Sequence, residues 1–120
     1  MREINLEKYH RLRDIFGPDR VSFAQSDRAA YSRDMWPRLA IQMRRGEHLD
    51  QPEFVVWPTT THEVSRLMQL ANQMRFPVVP FGGGTGVCGG SIGLDGAVVC
   101  DMKMMDRVVE INAASMLVRV

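Results

Sequence analysis

Residues 80–93 read PFGGGTGVCGGSIG, and these fourteen positions hold seven of the ten glycines in the 120-residue chain. Glycine costs extra conformational entropy on folding, so a cluster needs a return: positive φ, or room for another group to approach the main chain. A run of backbone N–H groups in a turn without Cβ atoms forms a concave nest. Such a nest holds phosphate oxygens through several charge-assisted hydrogen bonds. A surface loop that merely connects two strands is the plain alternative.

The flanks decide among the familiar glycine motifs. A P-loop requires G-x-x-x-x-G-K-[ST], but here Gly89 is followed by Gly90, and the loop contains no lysine. The spacing Gly84-x-Gly86-x-x-Gly89 matches the dinucleotide fingerprint, which must open a helix, whereas SIGLDGAVVC runs into a strand. Gly89-x-Ser91-x-Gly93 spells a nucleophile elbow, again with no helix behind it and no histidine linked to Ser91. What remains is a strand, a glycine loop and another strand.

Around the loop, hydrophobic spacing sets out the elements. Leu6, Tyr9, Leu12, Ile15 and Phe16 predict an amphipathic helix, with Asn5 as N-cap and Gly17-Pro18 as its stop. Residues 21–51 lack a sustained period and read as a long irregular connection with at most a short helix. EFVVWP is a short buried strand ended by Pro58. Thr60 and Glu63 form a capping box, followed by an apolar stripe of Val64, Leu67, Met68, Ala71 and Met74. With PVVPF, residues 53–81 make a strand-helix-strand unit, parallel and right-handed. GAVVCDM and SMLVRV are further strands, and the pattern is still running at Val120, as in the N-terminal piece of a longer protein.

Fifteen basic residues nearly balance fourteen acidic ones, and the basic ones are scattered, so nucleic acid is not an expected partner. No apolar run approaches the ~20 residues needed to span a bilayer, and the polar start, Met1-Arg2-Glu3-Ile4, does not resemble a signal segment. A cytoplasmic protein is expected, at most peripheral to a membrane. Cys88 and Cys100 read as reduced thiols with no metal-ligand spacing around them.

Four stretches together resemble the FAD-binding domain of the flavin-linked oxidases and dehydrogenases related to vanillyl-alcohol oxidase. They are LRDIFGPDRV with YSRDM, VVWPTTTHEVSRLMQLAN, PVVPFGGGTGVCGGSIG and VVCDMKMMDRVVEI, covering most of residues 12–111. Within that family the likeness is to the D-lactate dehydrogenase and glycolate oxidase flavoproteins. The resemblance implies an α+β fold, the N-terminal part of a two-subdomain FAD-binding domain with a small, mostly parallel sheet flanked by helices. Residues 1–50 would be the lead-in and residues 51–120 the strand-helix-strand unit, glycine loop and strands. It implies that Gly82, Gly83, Gly84, Thr85 and Gly86 grip the FAD pyrophosphate, with Gly89, Gly90 and Ser91 on the far side of the nest and Pro58 near the adenine end. Some relatives attach flavin to a histidine near the position of Thr85, so FAD here is expected to be noncovalent.

The implied enzyme is a flavin-dependent oxidoreductase acting on a small 2-hydroxy acid such as D-lactate or glycolate, passing electrons to an unspecified acceptor. Its catalytic residues lie outside these 120 positions, and no metal is implied. The alternative is a non-catalytic α/β interaction module whose loop binds a phosphate or nothing. Exposed apolar edges could make the isolated chain self-associate. Arg33-Asp34 reads as a surface ion pair, His62 as an exposed helix residue, Trp57 and the Met102-Met104-Met105 cluster as packing, Cys88 as a space-filling thiol, and Phe81 as a residue packed beneath the loop.

Overall fold

In the computed structural model, which describes residues 4–120, the first helix α1 runs Leu6–Phe16, with the boundaries the sequence predicts. Met1 to Glu3, whose polarity counted against a signal segment, lie outside the described residues. The Asn5 side chain accepts from the Lys8 amide, and Gly17 ends the helix. Its buried stripe is Lys8, Leu12 and Phe16, while Leu6 is exposed.

The stretch expected to be irregular is more ordered than its sequence suggests. It holds strand β1 (Val21–Ser22), helix α2 (Gln25–Ala30) and helix α3 (Pro37–Arg44). These helices bury only one side chain between them, Leu39, so they carry little of the periodic apolar signal that reveals a helix. Pro37 supplies a local start for α3, since its fixed φ suits the first helical position.

Strand β2 (Phe54–Val56), helix α4 (Thr61–Met74), strand β3 (Val78–Phe81) and strand β4 (Val98–Asp101) form the centre. Strand order is β1-β2-β4-β3, with β4 parallel to both β2 and β3, and β1 antiparallel at the edge. The expected strand-helix-strand unit is therefore parallel, but β4 is inserted between its two strands. Phe54, Val56, Val98 and Cys100 face α1 and α4, packing on Leu12, Phe16, Leu67, Leu70 and Ala71. Val55, Val99 and Phe81 face the other way, toward Tyr31 and Trp57. Both faces are covered, which is why the strands are apolar without alternation.

On α4 the stripe is rotated from the expected one: Leu70 is buried and Met68 is exposed. Strands β5 (Glu110–Asn112) and β6 (Leu117–Arg119) form a separate antiparallel hairpin whose residues are all exposed. The methionine cluster is split, Met102 packing partly against the core while Met104 is exposed. The architecture is the mixed α+β fold expected, with a small, mostly parallel sheet flanked by helices.

Two ion pairs tie the helices to this sheet. At the amino ends of the strands, Lys8 Nζ donates to Glu53 Oε2, and Glu53 Oε1 accepts the Asn5 amide. Near the carboxyl end of β2, Arg20 makes two hydrogen bonds to Glu63, at 2.8 and 2.6 Å. The capping box is only half formed: Thr60 Oγ1 accepts the Glu63 amide, but the Glu63 carboxylate takes the Thr59 amide instead of that of Thr60. The hydrogen bonds from Arg20, against the opposing effect of burial and aided by Thr59, hold the Glu63 carboxyl at about 2, below its ordinary 4.5.

Glu53→Ala leaves the Lys8 ammonium buried and unpaired, and is expected to cost about 3 kcal/mol in urea unfolding. Lys8→Met combined with Glu53→Gln should cost less than Glu53→Ala alone, because no lone charge stays buried. An unchanged midpoint for Glu53→Ala would show that the pair holds nothing together.

The unfolded chain protonates Glu63 near 4.5 and the folded one only near 2. Its contribution is therefore complete above about pH 4.5 and is lost as pH falls through that interval. Wild type should exceed Glu63→Gln by about 1 kcal/mol at pH 6, a partly solvated pair being worth little more. The gap should close toward pH 2, and a gap independent of pH would exclude this origin.

Candidate functional site

Because β3 and β4 are parallel neighbours, the chain between them leaves the carboxyl end of β3 and must return to the amino end of β4. A helix usually makes such a crossing, but residues 82–97 make it with none. The first turn folds over Phe81, which lies beneath the loop as expected. Gly84 has φ +65°, and a Cβ there would stand 2.7 Å from Phe81 Cζ. The Tyr31 ring meets Phe81 edge-on at 4.7 Å between centroids.

Midway, the loop passes along residues 31–36. The Met35 amide donates to the Gly86 carbonyl at 2.9 Å, and the Gly89 amide donates to Asp34 Oδ2 at 3.0 Å. Gly89 has φ +82°, with the Trp36 ring 3.0 Å from the position a Cβ would take. Beyond it the Gly93 amide donates to the Tyr31 carbonyl at 2.9 Å, and Pro52 closes on Gly93 from the other side.

Not every glycine is filled in by the protein. A Cβ on Gly82 or Gly90 would meet nothing within 4 Å, and one on Gly83 would meet only Thr85 Cγ2, at 3.5 Å. Gly82, Gly83, Thr85, Gly86 and Gly90 are exposed. The amides of Gly82, Gly83, Gly84, Thr85, Gly86, Gly90 and Ser91 donate to no described residue. A diphosphate fits this surface, which offers unused N–H donors and bare backbone on its open side. Ser91 differs from its neighbours: its Oγ is buried without a partner among the described residues, a cost of about 1–3 kcal/mol.

Of the positions singled out in sequence, Gly82 to Ser91 come together in one loop, with the Gly89 amide already taken by Asp34. Pro58 lies apart, fully buried at the carboxyl end of β2 with β4 between it and the loop. Beside its turn runs a groove of about 720 Å³ lined by Thr59, Thr60, His62, Met105, Arg107 and Val109 among others.

Beneath the loop is a polar cluster that sequence reasoning missed. Asp101 is wholly buried; it accepts from the Tyr31 hydroxyl and, at 3.1 Å, from Lys103 Nζ, while Trp57 Nε1 donates to the Tyr31 oxygen at 3.3 Å. Burial, followed by the bond to Asp101, raises the Tyr31 hydroxyl above its usual range, and the hydrogen bond to Asp101 raises the Lys103 ammonium. Trp57 thus packs as expected and also donates a hydrogen bond. Arg33-Asp34 is not an ion pair; Asp34 bonds to the loop and to the Trp36 amide instead. An acidic residue two positions before a helix N-cap, as in Asp34-x-Trp36, was the available signal. Cys100 is an inert core thiol, pushed up to about 11 by burial and then by Asp101, and Cys88 is free and exposed.

Known proteins share this arrangement. Residues 52–120 match the FAD binding domain family. The glycolate oxidase subunit GlcD of Bacillus subtilis (strain 168) is 31% identical over 98 residues, 82% of this chain and 19% of that protein. A probable mitochondrial D-lactate dehydrogenase of Danio rerio is 31% identical over 100 residues, 83% of this chain and 18% of that protein. Among solved structures, an alkyldihydroxyacetonephosphate synthase superposes with a TM-score of 0.84 at 26% identity, covering 97% of this chain and 22% of that one. The chain thus spans about a fifth of the relatives it matches. From its fold, its glycine loop and the match over residues 52–120, the chain belongs to the FAD binding domain family of FAD-linked oxidases and dehydrogenases, whose cofactor is FAD.

Proposed function

We propose that these 120 residues are the N-terminal part of a two-subdomain FAD-binding domain that holds the FAD pyrophosphate in the glycine loop, within a longer oxidoreductase. The observation that carries the reading is the division of the glycines. Gly84, Gly89 and Gly93 are closed off by Phe81, Trp36 and Pro52, whereas Gly82, Gly83 and Gly90 keep an open, donor-bearing face. In this reading the amides of Gly82, Gly83, Gly84, Thr85 and Gly86 bind the diphosphate oxygens, those of Gly90 and Ser91 complete the nest, and the Gly89 amide acts indirectly through Asp34. Pro58 fixes the turn that lies toward the adenine end.

FAD, when bound, supplies the capacity to accept a hydride from a carbon bearing a hydroxyl group and to pass the electrons onward. The contribution of this chain is to bind and orient the nucleotide end. Thr85 offers a hydroxyl donor but no ring nitrogen, which supports noncovalent attachment. The substrate proposed is a small 2-hydroxy acid, supported by relatives named for glycolate and D-lactate. The alkyldihydroxyacetonephosphate synthase likeness leaves other substrates consistent with the same cofactor domain. Two free thiols support placing the enzyme in the cytoplasm.

Two substitutions in the full-length protein test the reading by FAD titration and thermal unfolding of the apoprotein. Gly82→Ala adds a methyl group where no protein atom stands, at a φ that alanine tolerates, so the apoprotein should melt as wild type does. Its FAD affinity should fall about tenfold, ~1.4 kcal/mol. Gly84→Ala, strained in φ and pressed on Phe81, should lose both affinity and stability. Full-length protein that is purified colourless and takes up no FAD, or Gly82→Ala that binds FAD as tightly as wild type, would sink this account of the loop.

A further inference from the structure

We infer that Asp34 is a positioning residue for the cofactor loop: its carboxylate fixes the Gly86–Gly89 bend so that the free amides on either side converge on one diphosphate. This inference rests on the proposed FAD reading of the same loop.

The geometry is specific. Asp34 Oδ1 accepts the Trp36 amide at 2.8 Å, two residues along its own chain, which locks the carboxylate in one orientation. Oδ2 is then left to accept the Gly89 amide at 3.0 Å, across 55 residues of sequence. The same oxygen lies 3.4 Å from the position a Cβ on Gly86 would take, so the carboxylate rests directly against the bare backbone at that point. The Met35 amide holds the Gly86 carbonyl at 2.9 Å, turning that carbonyl toward residues 31–36. Two groups that would oppose an anion, a carbonyl oxygen and a carboxylate, are thereby each bound to an N–H donor. Gly86 and Gly89 become fixed points, and the free donors at Gly82–Gly86 and Gly90–Ser91 lie on both sides of them.

An acceptor was needed here that reaches the Gly89 amide without using a main-chain carbonyl from the loop itself. Only an ionised carboxylate accepts on both oxygens at once. An asparagine amide offers one acceptor and presents an NH₂ group to the other donor.

The test uses the full-length protein with FAD, ADP and riboflavin as separate probes, and records the melting temperature of each apoprotein. ADP carries the diphosphate without the flavin ring, and riboflavin the ring without phosphate. Asp34→Ala should weaken FAD and ADP by the same factor, about tenfold or more, and leave riboflavin unchanged. The isosteric Asp34→Asn should fall between it and wild type, with an apoprotein that melts as wild type does. Equal FAD and ADP affinities in wild type and both variants would overturn the assignment. So would an affinity loss that tracks a fall in apoprotein melting temperature or extends equally to riboflavin, since Asp34 would then be merely structural. Wild-type protein that takes up no FAD would overturn the cofactor reading itself, and this inference with it.

Discussion

Parallel pairing of β3 with β4 is the constraint from which the rest of the structure follows. It obliges the chain to cross the length of the sheet between Gly82 and Ala97, and the crossing is made by an extended loop on the face opposite α1 and α4. A helix there would satisfy its own backbone. An extended chain must find partners for each polar group it buries, and it must lie close to the sheet to cover it. Closeness requires glycine where Phe81, Trp36 and Pro52 press on the main chain. Partners come from residues 31–36 wherever the loop runs beside them. Where the loop keeps an open side, at Gly82, Gly83, Thr85 and Gly90, its amides remain free, and those are the positions left open to an anion. The proposed binding surface is what remains of a backbone whose other half is committed to the fold.

Two carboxylates lie under this donor-bearing loop, and each is compensated. Asp101 is wholly buried, but the Tyr31 hydroxyl, the Lys103 amide and the Lys103 ammonium supply its donors. Lys103 also sits over the rings of Tyr31 and Phe81, at 5.5 and 5.2 Å from their centroids, and so brings a positive charge under the first turn of a loop that contains no lysine. Asp34 is satisfied by two main-chain amides. Removing a donor from either carboxylate would leave a poorly solvated negative charge beside the loop's free amides.

What could be read in sequence was whatever is encoded locally. Asn5 and Gly17 fixed α1, Thr60 opened α4, and the runs at Phe54, Val78 and Val98 fixed three strands. The glycine loop was recognisable because its composition has few other uses. The insertion of β4 between β2 and β3 was not legible, since strand order depends on contacts between distant residues that no window of sequence contains. The roles of Tyr31, Asp34 and Glu63 were missed for the same reason: each acts on a partner more than 40 residues away. Helices α2 and α3 escaped because they bury almost nothing and so leave no periodic trace. Leu6 and Met68 were misplaced by the assumption that polarity alone decides which face of a helix is buried; on α1 the buried stripe includes Lys8, which the sequence did not single out. The stem of Lys8 is covered because Glu53, the Gly96 carbonyl and the Phe76 ring receive its charge.

The positions of these interactions also separate stability from binding. The Lys8–Glu53 pair clamps α1 to the amino ends of the strands, while the first turn of the loop, the Pro58 turn and the Asp101 cluster occupy the carboxyl ends. In sheets of this kind ligands bind outside the carboxyl ends, where strand termini leave polar groups unspent. The loop that starts from that end carries a local cost in the unpartnered Ser91 hydroxyl, while its positive-φ positions, Gly84 and Gly89, are filled by the residue that takes that conformation without strain. Such costs persist only where the surrounding structure over-determines them. Here the surrounding structure is the doubly covered sheet, held at its far end by the buried Lys8–Glu53 ion pair. The loop can therefore keep its donors exposed without relying on the ligand to hold the fold together.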